Sequence, residues 1–556
     1  MYQQVYDPVS DSLGLSSIFA ALPLLTLFVL LGGLRLKAQW AALIALAVAL
    51  IVAVAVYGMP VGQGLLSASE GATFGLWPIM WIVVNAIWIY NMTVESGHFA
   101  VLRRSFARVS DDQRVQAIIV AFCFGALLEA LAGFGTPVAI SAVMLIALGF
   151  QPIKAASVAL VANTAPVAFG AIAIPIVTLA EITQLPKDDL GAMVGRQTPL
   201  LALIVPLILV GMVDGRRGLR QVWPAALTGG VAFAAAQFLC SNYLSVELTD
   251  IVASLAGMLA IVGLLQVWGP AEPLLGERMA AGRPAMAGGA AHDPAFEDHV
   301  RRRSDDTHDT RGDVAAAYAP YAIIIAVFSI AQIPAVKDWL AKAVTEFSWP
   351  GMDITNASGE AISSATFRFN WLNAGGTLLL IAGLLTVLVL RLNLGRAVSA
   401  YVATLKQLKW AIVTVMTVLA LAYVMNQSGQ TITLGQWAAG AGGFFAFLSA
   451  MIGWLGVAVT GSDTSSNSLF GALQVTAAKE AGLSPTLMAA ANTSGGVLGK
   501  MISPQNLAIG AAAVGLAGKE GDLFRRVVGW SLVLLVAMCA IVYLQSTDVL
   551  GWMVPD

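Results

Sequence analysis

Apolar stretches long enough to cross a bilayer recur along the whole chain, and they decide what it can fold into. Runs at 18–34, 38–57, 251–268 and 527–544 reach or approach the ~20 residues a helix needs to span a hydrocarbon core. The runs are solidly apolar and do not alternate with period two, which excludes a transmembrane barrel. Only 11% of the residues are charged, against about 25% in soluble domains. The chain therefore reads as an all-α polytopic membrane protein. A net charge of −2 leaves no basic face for nucleic acid. Cys123, Cys240 and Cys539 sit far apart in apolar runs and read as buried thiols.

One segment does not belong in a membrane. Residues 271–313 hold nine acids, six arginines and three of the four histidines. They read as an aqueous linker (271–316) between two membrane halves, 1–270 and 317–556. His292, His299 and His308 lack the spacing of a metal tract, and no metal or cofactor is expected. The other Lys and Arg residues cluster in short loops at 35–37, 103–114, 216–220, 391–409 and 525–526. The positive-inside rule puts these in the cytoplasm. The trace that follows has about 12 full spans plus two re-entrant hairpins, at 115–150 and 436–479, with both termini outside. The hairpins enter from opposite sides, the inverted-topology pattern of secondary transporters with discontinuous helices.

The same polar phrase occurs twice. Residues 162–175 read ANTAPVAFGAIAIP, and 491–504 read ANTSGGVLGKMISP. Each carries Gly six residues and Pro eleven residues after its Thr (Gly170 and Pro175; Gly499 and Pro504). Irregular backbone survives at membrane depth only inside protein or along a cavity. The phrases are therefore expected to break two helices and, with the hairpin tips at 133–137 and 460–467, to enclose one polar site near the midplane. Ionisable groups within spans are functional candidates. Lys500 has Ala171 at its place in the first copy, so it is a single cation suited to one carboxylate. Glu129 and Asp463 are candidates for a coupling proton. No His lies within a span, and the acids and serines form no catalytic pattern, so an enzyme is not expected.

The stretches 129–137 (EALAGFGTP), 460–471 (TGSDTSSNSLFG) and 503–506 (SPQN) resemble the bacterial L-lactate permease family across nearly the whole chain. Asn506 departs from the small residue expected there and leaves substrate choice open. The resemblance implies proton-coupled symport of L-lactate, D-lactate and glycolate across the bacterial inner membrane. The expected substrate residues are Thr136, Asn163, Thr164, Ser465, Asn467, Asn492, Thr493, Lys500 and Gln505. The tips are also similar to those of dicarboxylate/sodium symporters, which implies an elevator motion and a homodimer. A sodium-coupled carboxylate transporter is the alternative, with backbone carbonyls at the breaks as ligands.

Overall fold

The computed structural model describes residues 1–34, 36–107, 109–133, 135–274, 309–331, 333–362, 365–516 and 519–555. Most of the expected linker, with His292, His299 and His308, lies outside the described residues.

Among the described residues, nine helices are long and apolar enough to cross a membrane. A tenth is the pair Pro152–Ala162 and Val167–Thr183, bent by 65°. The apolar run at 251–268 lies on helix Thr249–Leu265, and a second apolar helix covers Gly375–Val389; both are shorter than the usual span. The 57-residue helix Lys187–Tyr243 holds two expected spans. It turns at Asp214 and Gly215, where Gly215 takes the left-handed φ of 58°.

Both hairpins are present. The first has legs Gln113–Leu131 and Thr136–Ala147. Its tip turns on Gly133 (φ 44°) and Gly135 (φ 83°), a backbone region that glycine enters without steric cost. The second has legs Phe445–Thr460 and Asp463–Glu480, with Gly461 at φ 75°. A break across 460–467 was expected, but the second leg resumes at Asp463. The Ser462 hydroxyl accepts the Ser465 N–H and caps the new helix at once, so 464–467 are helical.

The two hairpins enter from opposite ends. At the foot of the first, Arg114 reaches Asp214, where the long helix turns (2.9 Å). The second packs Gly471 against Leu179 and Thr183, close to the other end of that helix. Arg114 is fully buried and also bonds Asp112, Gln221 and the Glu272 carbonyl. Burial opposes ionisation of Asp112. Arg114 and the N–H groups of Leu274 and Arg114 outweigh it and hold the carboxyl below its usual range.

The repeated phrase breaks differently in its two copies. In the first, the helix stops at Ala162, and Ala171, Ile172 and Ala173 form a left-handed turn (φ 44°, 59° and 56°). Left-handed L-residues cost about 1–2 kcal/mol each. In the second, helix Pro485–Lys500 runs unbroken through Asn492 and Thr493. Its break comes at 501–503, and helix Pro504–Ala513 follows. Two Ser-Pro pairs write these starts. Ser484 and Ser503 accept from Leu487 and Asn506 N–H, and the prolines take the first helical position. The second copy stays helical because its glycines serve packing. A Cβ on Gly495 would lie 2.0 Å from the Ala450 carbonyl oxygen, and one on Gly499 2.3 Å from that of Trp454. Gly453 meets Asn492 as closely from the facing helix, at 1.9 Å. This is backbone-on-backbone packing of small residues.

Two short β-elements were not anticipated. Val344–Ser348 pairs antiparallel with Thr366–Asn370, and Tyr2–Gln3 pairs with Ile354–Thr355.

Candidate functional site

The hairpin tips and the broken helices converge. A Cβ on Gly135 would meet Ile509 and Asn506, and one on Gly461 would meet Gln505 at 2.6 Å. Both tips thus close on the helix that begins at Pro504. Beside them lies a cavity of about 1040 Å³. Glu129, Asp463, Ser465, Lys500 and Gln505 line it, with Ala171 of the left-handed turn. Its rim includes Leu36, Trp410 and Phe524, all exposed. These residues adjoin the basic segments assigned to the cytoplasm.

Lys500 ends helix Pro485–Lys500 and carries the cation into this cavity. Its Nζ lies 2.5 Å from Glu129 Oε1. The other carboxylate oxygen, Oε2, accepts the Asn163 Nδ2 (2.9 Å). Both ions are buried, Lys500 being 7% and Glu129 3% exposed. Desolvating two charges is costly, and direct pairing with a further hydrogen bond offsets that cost. Lys500 therefore pairs with Glu129 and not with Asp463. No hydrogen bond among the described residues reaches either Asp463 oxygen, although the residue is only 3% exposed. Both acids sit against glycines. A Cβ on Gly170 would lie 2.8 Å from Glu129 Oε1, and one on Gly496 2.2 Å from Asp463 Oδ1.

The remaining expected residues fall elsewhere. Asn467, Asn492 and Thr493 form a buried network that does not line the cavity. Asn467 Nδ2 donates to the Pro175 carbonyl (3.0 Å) and to Thr493 Oγ1 (2.8 Å), and its Oδ1 accepts Asn492 Nδ2 (2.8 Å). Gln474 Nε2 donates to Asn492 Oδ1. The network ties the second hairpin to both broken helices. The Thr164 hydroxyl donates back to the Val161 carbonyl (2.7 Å), as a helix-end threonine often does. Thr136 starts the second leg of the first hairpin, its N–H donating to Gly133 O. Thr460, Ser462 and Thr464 line the cavity and were not singled out, although they lie in the same tip as Ser465.

The L-lactate permease family profile matches residues 16–548. The chain belongs to the L-lactate permease family. The L-lactate permease of Escherichia coli (strain K12) is 42% identical, and that of Bacillus subtilis (strain 168) 41%, each over 100% of both chains. The glycolate permease GlcA of Escherichia coli (strain K12) is 39% identical over 100% of this chain and 99% of its own. L-lactate permease family members are permeases and not enzymes, and this one is an integral membrane transporter. Among solved structures, Neisseria gonorrhoeae MtrF aligns with 14% identity and a TM-score of 0.44, over 87% of this chain and 83% of its own. The Alcanivorax borkumensis YdaH transporter aligns with 16% identity and a TM-score of 0.43, over 86% of each chain. Those two likenesses are too slight to carry an argument.

Proposed function

We propose that the chain takes up L-lactate and related small 2-hydroxy monocarboxylates, D-lactate and glycolate among them, together with a proton. The Lys500–Glu129 pair facing the cavity carries this reading. Lys500 is the single cation that a monocarboxylate needs. Glu129 pairs with it as a substrate carboxylate would. A proton on Glu129 removes its charge and frees Lys500 for the anion. Binding of anion and proton are thereby linked, and the loaded site is neutral overall. Ser465, Gln505 and the tip hydroxyls face the same cavity and supply hydrogen bonds for the 2-hydroxyl group. Asp463, which lines the same cavity, is the second candidate for the proton. With the basic loops in the cytoplasm and the protein in the bacterial inner membrane, the cavity opens inward.

The reading is tested with purified protein in sodium-free vesicles. An inward proton gradient should drive uphill accumulation of labelled L-lactate. An uncoupler should collapse it, and Lys500→Ala should abolish it. Accumulation that waits for sodium would overturn the proton assignment.

A further inference from the structure

Another buried carboxyl lies behind the site, away from the cavity. Asp250 is in the first turn of helix Thr249–Leu265 and is fully buried. Its helix starts at the end opposite Asp214, and so opposite the basic loops. One oxygen, Oδ1, accepts Gln237 Nε2 (3.0 Å). No hydrogen bond among the described residues reaches the other, Oδ2.

Gln237 makes the link. The same Nε2 donates to the Ala165 carbonyl (3.3 Å), inside the unwound part of the first broken helix. Two residues earlier in that segment, Asn163 holds Glu129. A polar seam thus runs Lys500, Glu129, Asn163, Ala165, Gln237, Asp250 through packing that is otherwise almost wholly apolar. Asp250 also lies within electrostatic reach of Glu129. The other titratable groups near it are Cys240 on the long helix and the Lys187–Glu247 pair at the outer end. Cys123, against Gly257, faces the same helix deeper in the membrane.

We infer that Asp250 is a second proton-exchanging carboxyl, which passes protons between the outer end of the transporter and Glu129. Oδ2 takes a proton from the outer side and leaves Asp250 neutral, while Oδ1 stays on Gln237. That proton then moves to the Glu129 carboxylate across the unwound segment. Asp250 returns to its anion, and neutral Glu129 releases Lys500. Gln237 is a positioning residue: an amide holds the acid and does not itself carry the proton. This inference rests on the proton-symport reading.

The test compares two activities in reconstituted vesicles. Lactate counterflow needs substrate exchange but no net proton movement. Accumulation under an imposed pH gradient needs both, and one pH unit can drive about tenfold accumulation for one proton per lactate. Asp250→Asn should keep counterflow within about twofold and lose that tenfold accumulation, since the amide has no exchangeable acidic proton. Asp250→Glu should restore accumulation with a displaced pH profile. Gln237→Leu should weaken accumulation more than counterflow. Accumulation by Asp250→Asn equal to the parent's would overturn the inference. So would equal loss of both activities in a variant that elutes and melts as the parent does. If Asp250→Asn does not fold, an Asp250→Glu profile identical to the parent's would overturn it. Absence of pH-driven accumulation in the parent would instead refute the proton-symport reading itself.

Discussion

Replacing Glu129 by Gln should tighten lactate binding near neutral pH, although it removes a polar contact from the site. Glu129 lies 2.5 Å from Lys500 and, on the proposed reading, competes with the substrate for it. A hydrogen bond to a charged group contributes about 1.5–3 kcal/mol net. The incoming anion has to replace that bond in the parent and does not in the variant. At 1.4 kcal/mol per decade this is roughly a ten- to hundredfold gain in affinity. The introduced amide oxygen can still accept from Asn163, so the surroundings stay in place. Equilibrium binding of labelled L-lactate to purified protein in detergent measures the gain. Proton-driven accumulation by the variant should fall, because binding no longer draws in the proton. Weaker binding by Glu129→Gln than by the parent would refute the competition.

Three further outcomes are expected. Lys500→Ala strands Glu129 as a buried charge and should destabilise the fold by about 3–5 kcal/mol. Adding Glu129→Gln should recover most of this in thermal unfolding; a double variant as unstable as the single would count against the pair. Gly453→Ala drives a methyl to 1.9 Å from the Asn492 carbonyl oxygen. It should cost at least about 1–3 kcal/mol in melting experiments without altering any charge. Asp112 is held below its usual range, so its contribution is present above the unfolded value of about 4 and is lost as pH falls through the folded one. The melting-temperature gap between the parent and Asp112→Asn should therefore be open at pH 7 and close below about pH 4.

Much of this was legible because membrane-spanning sequence is written in coarse signals. Apolar runs, basic loops and glycine-bearing tips located the helices, the two hairpins and their opposite entry. Charge at membrane depth singled out Lys500, Glu129 and Asp463, and all three face one cavity. Long-range partnership was not legible. Nothing local says that Asn467 bonds Pro175 and Thr493 instead of facing the cavity. Nor does it say that Gly495 and Gly499 exist to admit a neighbouring backbone, so that the second phrase stays helical as far as Lys500 and breaks only at 501–503. Asp250 did leave a signal, an acid at the head of an apolar run. It was missed because such acids usually mark a boundary with water, whereas here Gln237 and close packing bury it.

The size of the cavity bears on how such a transporter chooses its cargo. Its 1040 Å³ would hold on the order of thirty water molecules, far more than one small hydroxy acid displaces. On the proposed reading, an arriving acid is held here by its carboxylate on Lys500 and its 2-hydroxyl on Ser465, Gln505 or the tip hydroxyls, and the rest of the molecule stays in water. Glycolate, lactate and somewhat longer homologues would then compete on nearly equal terms for entry. Discrimination by size and handedness is left to the closing step, so it should show in turnover numbers and hardly at all in inhibition constants.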